Sequence, residues 1–275
     1  MSSNALVPSS SGFLRARVLV PVAVLLVPGV YFGPHLVADD GSQGGFADQR
    51  VLVGAVREGF VRYWGAGSGD YSSGMGGVVA YWFRFHVAKA LIALALLGVL
   101  VALGVVVWRA FLRSEGARRG ALAVAGVLVT GLGLLALVVA AANVQGAVAP
   151  FTSALTMLPV GTRGGELGGT LAQVRAELAT DPHSASPALA EMVSDNARYH
   201  VSMAVIAGVL AVGLVVASVV LWRRFANAGD RRTRRLLAAF GALGTVLVCA
   251  VLVVGVANVT VAADSARGLT DFFGA

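Results

Sequence analysis

The sequence predicts an all-α membrane protein with five transmembrane helices. These are an N-terminal anchor and a tandem-duplicated two-helix hairpin, joined by a small helical extracytoplasmic cap. Three observations predict it. Hydrophobic residues make up 57% of the 275 residues and charged residues 13%, with a mean hydropathy of +0.80; a soluble domain carries about a quarter charged residues to cover its wet surface. Four apolar runs, at about 87–107, 121–142, 201–221 and 236–257, reach the roughly 20 helical residues that span a 30 Å hydrocarbon core. Finally, FRFHVAKAL from Phe83 and ARYHVSMAV from Ala197 are nearly the same phrase, each opening one of these runs.

In chain order, the first apolar run, 18–32, is shorter than the others, holds Pro21 and Pro28, and follows Arg15 and Arg17. It reads as an uncleaved signal anchor, because Leu36-Val37-Ala38 is a poor cleavage site for a peptidase that wants small residues. The domain boundaries that follow are 1–36 for the cytoplasmic N-terminus and anchor, 37–81 for an extracytoplasmic segment, 82–143 for the first hairpin, 144–197 for a second extracytoplasmic segment, 198–258 for the second hairpin and 259–275 for the tail. Segments 1–17, 108–120 and 222–235 hold 12 basic and 2 acidic residues, whereas 34–81, 144–197 and 259–275 hold 6 basic and 12 acidic. Basic loops stay inside, so the N-terminus is expected in the cytoplasm of a bacterial cell and the C-terminus outside. The net charge of +7 is then an orientation signal in contact with lipid headgroups, and a nucleic-acid partner is not expected.

The repeat runs through both helices of the hairpin. His86 and His200, Trp108 and Trp222, and Phe111 and Phe225 are each 114 residues apart. At an offset of 115, Arg119 matches Arg234, Gly126 matches Gly241, Thr130 matches Thr245, and Asn143-Val144 matches Asn258-Val259. Rare polar residues repeated in order are poor candidates for coincidence in Ala/Val/Leu-rich sequence. Both copies enter and leave on the same side, which implies a pseudo-twofold axis along the membrane normal. The glycines permit close helix contacts in lipid. Thr130 and Thr245 are expected to bond their own backbone, and Trp108 and Trp222 to mark the membrane boundary.

The connecting segments predict the cap. Residues 46–64 have helical periodicity, with Val53, Val56, Phe60 and Trp64 on one face, Arg50 and Arg57 opposite, and Glu58 paired with Arg62. Residues 65–77 read as a flexible connector. Residues 170–179 read as a short helix ended by Asp181-Pro182, and Ser186-Pro187 as the start of a helix continuous with the next span. The tail ends in Phe272-Phe273, expected to lie back on the membrane. The pattern Asn258-Val259-Thr260 reads as accidental rather than as a glycosylation site.

The candidate site is the repeat-matched polar cluster Arg84, His86, Asn143, Arg198, His200 and Asn258. From His86 to Trp108 is 22 residues, roughly 33 Å of helix, which puts the histidines at the interface. The simplest reading is interfacial, each His bonding within its own hairpin near Asn143 or Asn258. The alternative is a bis-histidine haem or metal site, and a third is a bound lipid or small molecule. His35 and His183 are isolated, and the lone Cys249 excludes a disulfide framework. No catalytic motif is present and the four main spans lack a central charge, so no catalytic residue, resident cofactor or metal is expected. Three function classes follow. The leading one is a non-enzymatic accessory, scaffold or outer-face binding protein with a membrane or extracytoplasmic protein partner. The others are a haem or metal electron-transfer component and a transporter of an apolar solute.

Overall fold

The computed structural model describes residues 10–39, 41, 45–180 and 185–274. Asp181, Pro182 and His183 lie outside the described residues. Among those described, all regular structure is helical: α1 (Ser10–Ala38), α2 (Gln49–Ala66), α3 (Ser73–Arg113), α4 (Gly116–Val148), α5 (Pro150–Leu155), α6 (Gly165–Leu178), α7 (Pro187–Ala226), α8 (Arg231–Ala263) and α9 (Ser265–Phe273). Five of these, α1, α3, α4, α7 and α8, are long and apolar enough to cross a membrane. Helix α1 outruns the 18–32 stretch and keeps Pro21, Pro28 and Pro34 inside it: proline loses an N–H, yet its fixed φ is helical, so in an apolar helix it need not end it.

The chain forms two compact units that cut across the sequence segments. One holds the described residues up to Pro34 with Ala88–Ala140; the other holds His35–Val87 and everything from Ala141. The division falls inside α1, α3 and α4 because the ends of these helices are buried with the connecting segments.

In the first unit, Ala23 of α1 packs with Leu96, Leu100 and Ala136, and Leu26, Val30 and Val129 surround them. The approach is close. A β-carbon added at Gly33 would lie 2.8 Å from Ile92 Cδ1, so small residues on α1 set the contact, as expected where van der Waals packing drives association in lipid. At the far end the Trp108 indole lies on Gly126, where an added β-carbon would be 2.7 Å from the ring. Trp108 Nε1 donates to Thr130 Oγ1 at 3.2 Å, and Thr130 Oγ1 donates back to Gly126 O at 2.8 Å. Trp108 is therefore a packing residue.

The second unit has the kind of core a soluble domain has. Phe60, Tyr63, Met75, Tyr81, Phe151, Met192 and Phe273 are fully buried, drawn from α2, α3, α5, α7 and α9, and α6 adds Leu171 and Val174. Asp48 caps α2 by accepting from Arg50 N at 2.8 Å, and Gly67 ends it at φ +64°. The buried face is Leu52, Val56, Gly59, Phe60, Tyr63 and Trp64, so Leu52 takes the place expected of Val53. The longer side chain wins the core, and Gly59 lets α2 approach the Met75 backbone, 3.3 Å from an added β-carbon. The exposed Glu58–Arg62 pair forms at 3.7 Å. Helix α3 begins at Ser73, which leaves 67–72 as the connector, and α6 starts at Gly165, earlier than its periodicity suggested. Ser186 caps α7 by accepting from Leu189 N at 3.2 Å, and the helix runs unbroken to Ala226.

The tail departs from expectation. Leu269 and Phe273 are one turn apart on α9 and both are buried, with Phe273 stacked on Phe60 at 6.3 Å, while Phe272 stays exposed. The α7–α8 hairpin closes through Ala207 against Gly255, Ser218 against Gly244 and Trp222 against Gly241. Its exposed large apolar residues are mostly valine, including Val209, Val212, Val246 and Val253. In its turn Asp230 accepts from Thr233 N at 2.8 Å, and this bond holds the carboxyl below its usual range.

Candidate functional site

The two histidines stand where helices are pinned together. The first pin depends on a break between α4 and α5. Ala149 leaves the helix at φ −134°, ψ 73° because Pro150 follows it, and the residue before proline is driven out of the α region. Proline then suits the first position of α5, and the reversal returns Ser153 to His86. His86 Nδ1 donates to Asn143 Oδ1 at 2.8 Å, since that oxygen can only accept. In the neutral ring Nε2 is then an acceptor, and Ser153 Oγ donates to it at 2.9 Å. Ser153 in turn accepts from Trp82 Nε1 at 3.1 Å. His86, Asn143 and Ser153 are all buried. Gly146 makes the room, since a β-carbon there would lie 2.6 Å from His86 Cε1 and Nε2.

The second pin repeats the first with different residues. His200 Nδ1 lies 2.8 Å from Asn258 Oδ1, and Asn258 Nδ2 donates to Val254 O at 2.8 Å. Asp264 breaks the helix at φ −135°, ψ 68°, the geometry of Ala149, which stands 115 residues earlier. No proline follows; instead the Asp264 side chain accepts from Arg267 N at 3.1 Å and starts α9 as a cap. Asn196, at the position of Trp82, donates to Ser265 O at 3.3 Å and so also holds the short helix. Val261 and Gly268 stand at the positions of Gly146 and Ser153, and a β-carbon at Gly268 would lie 2.6 Å from Val261 Cγ1. His200 is half-buried, and among the described residues no side chain bonds its Nε2.

Other contacts match in the same way. Trp108 and Phe111 meet edge-on at 5.4 Å, and Trp222 and Phe225 at 5.5 Å. Arg119 lies 5.2 Å over Phe111, and Arg234 5.0 Å over Phe225. Thr245 Oγ1 donates to Gly241 O at 3.0 Å, as Thr130 does to Gly126.

The matched arginines diverge. Arg84 Nε donates to Ala38 O at 3.1 Å, at the carbonyl end of α1. Arg198 pairs with Glu191 at 2.7 Å and Asp195 at 3.1 Å. Asp195, 2% exposed, is the residue sequence reading missed. It accepts from Thr152 N at 2.7 Å and so satisfies the first turn of α5. His35, assigned no role from sequence, lies 3.1 Å from the Tyr81 hydroxyl. Gln145 Nε2 donates to Tyr199 O at 3.2 Å, which ties α4 to α7. The one available signal for Asp195 was an acid in the turn before a span, unremarkable until α5 is placed against it.

Tyr63 donates to Ala188 O at 2.7 Å beside this cluster. Burial first, then the Glu191 and Asp195 carboxylates, push its phenol above the ordinary range; burial does the same at Tyr71. A raised folded-state pKa means stability that is complete below the unfolded value of about 10 and falls as pH rises beyond it, because only the unfolded chain then loses the proton. Alkaline titration is expected to release the Tyr63 and Tyr71 phenolates together with loss of the second unit's near-ultraviolet dichroism. Tyrosinate absorbance of Tyr63 or Tyr71, isolated as the difference from the Tyr63→Phe and Tyr71→Phe variants, that appears near pH 10 with the dichroism intact contradicts this.

Comparison with protein-family models, with curated proteins and with solved structures returns no match.

Proposed function

We propose that this chain is a non-enzymatic accessory or scaffold protein of a bacterial cytoplasmic membrane, with a rigid outer cap that presents itself to protein partners. One observation carries the reading. The polar side chains that stand out in the sequence are engaged within the chain itself: His86 with Asn143 and Ser153 and His200 with Asn258 between helices, and Arg198 with Glu191 and Asp195 along α7. For His86 to ligate a metal or haem iron through Nε2, it would have to give up Ser153 and strand a buried hydroxyl at about 1–3 kcal/mol.

The proposal includes a tandem duplication larger than the hairpin. Helices α2, α3, α4 and α5 correspond in order to α6, α7, α8 and α9. Supporting it are the starts of α3 and α7 114 residues apart and the matched breaks at Ala149 and Asp264. It also includes an inside N-terminus and an outside C-terminus, supported by the distribution of arginine. Reporter fusions after Glu115 and Gly229 are expected to be cytoplasmic, and those after Met75, Gly165 and Ala275 outside. A cytoplasmic C-terminus overturns the orientation.

The function is tested by purification in mild detergent with an absorption spectrum and identification of co-eluting chains. A stoichiometric partner with no visible band is the expected result. A Soret band that vanishes on joint His86→Ala and His200→Ala substitution replaces this reading with haem-based electron transfer.

A further inference from the structure

We propose that the α7–α8 hairpin carries a docking groove for a transmembrane helix of a partner protein, at the positions that match the α1-bearing face of α3–α4. The inference rests on the duplication and accessory-protein readings above and names the partner's chemistry.

The template is internal. Ile92, Leu96 and Leu100 of α3, with Ala136 of α4, receive α1, and Leu96, Leu100 and Ala136 are at most 7% exposed. The matching residues are Ile206, Leu210, Leu214 and Val251, so the Ile-Leu-Leu series at four-residue spacing is kept. Between 201 and 220 the fully exposed large apolar residues of α7 are all valine, and Ile206, Leu210 and Leu214 are the only isoleucine and leucines in that stretch. Ile206, Leu210, Leu214 and Val251 are each partly exposed, where Leu96, Leu100 and Ala136 are covered.

What covers α3–α4 also defines what would fit. The α1 contact stripe is Ala23 with Gly33 against Ile92, flanked by Leu26 and Val30. Small residues let two backbones approach, and close packing is what holds helices together in lipid. The occupant is therefore an apolar helix with an Ala/Gly stripe at this spacing. A second copy of this chain is a poor occupant, because its α1 stripe is already used and the rest of α1 is bulky, with Leu25, Tyr31 and Phe32 more than 60% exposed.

The test uses the full chain with Cys249→Ala, reconstituted in phosphatidylcholine–phosphatidylglycerol vesicles. The probe is a synthetic peptide of residues 10–38 carrying Ala23→Cys. Oxidation should give a peptide disulfide at Leu210→Cys severalfold above that at Val246→Cys, an outward position on α8 that is 65% exposed. The pair Ala23→Cys with Leu96→Cys in one chain calibrates the yield and reports a folded hairpin. Equal yields at 210 and 246 would mean a lipid-facing surface and overturn the proposal. So would a disulfide between two full chains at 210 without peptide, which assigns the face to a second copy. A partner that co-purifies while the groove fails uses another surface, and the accessory reading then survives; a groove that works in a chain without partners leaves the site standing and sinks that reading.

Discussion

Replacing Phe151 by Ala is expected to destabilise the second unit by about 3–5 kcal/mol. The ring is fully buried, with the Tyr63 and Tyr71 rings each 5.0 Å away. It also anchors α5, a six-residue helix that cannot hold itself together by local propensity. The comparison variant Tyr63→Phe keeps the ring and loses only the bond to Ala188 O, which should cost roughly 0.5–1.5 kcal/mol. Hydrogen exchange in detergent reads both. Phe151→Ala should speed exchange in α2, α5 and α6, while the α1–α3–α4 packing around Leu96 and Leu100, which does not include Phe151, stays protected. Equal stability of the two variants would mean that hydrogen bonds, and not the aromatic core, hold this unit.

The second large effect is expected at Gly146. Valine there, the residue found at the matching position 261, would drive a side chain into the His86 ring, since the first added carbon already lies 2.6 Å from it. Overpacking costs about 1–3 kcal/mol, and displacing the imidazole also loses its bonds to Asn143 and Ser153. The second half of the chain contains the compensation. Val261 is accommodated by Gly268, which stands where Ser153 stands. Adding Ser153→Gly to Gly146→Val should therefore recover part of the loss, with a favourable coupling of about 0.5–3 kcal/mol between neighbours that share one space. Strict additivity in the double-mutant cycle would show that the two pins are not equivalent environments and would weaken the duplication.

These two sites separate what the sequence carries from what the fold adds. The spans were legible because insertion into lipid depends on summed local hydropathy, and the hairpin match was legible because Arg, His, Trp and Asn are conspicuous among Ala, Val and Leu. The His–Asn partners could be paired because both sit near the same end of adjacent helices. The α5 and α9 halves of the pins were not legible. Their breaks have the same φ and ψ but come from Pro150 in one case and from an Asp264 cap in the other, and residue matching does not see two chemical routes to one backbone shape. Nor was Asp195, whose partner Thr152 lies 43 residues away in sequence.

By itself, then, the sequence determined what depends on neighbours along the chain: helix content, spanning length, the helix start at Ser186-Pro187, and the repeated phrase. Only the tertiary structure decided which of several apolar residues reach a core. Leu52 displaced Val53 and Phe273 turned inward while Phe272 did not, because burial is settled by the shape of distant helices such as α3 and α2. It also decided that one histidine is locked at both ring nitrogens and its counterpart at one. The physical reason is the side chain that the short helix returns: Ser153 brings a hydroxyl to His86 Nε2, and Gly268, at the matching position, has none to bring.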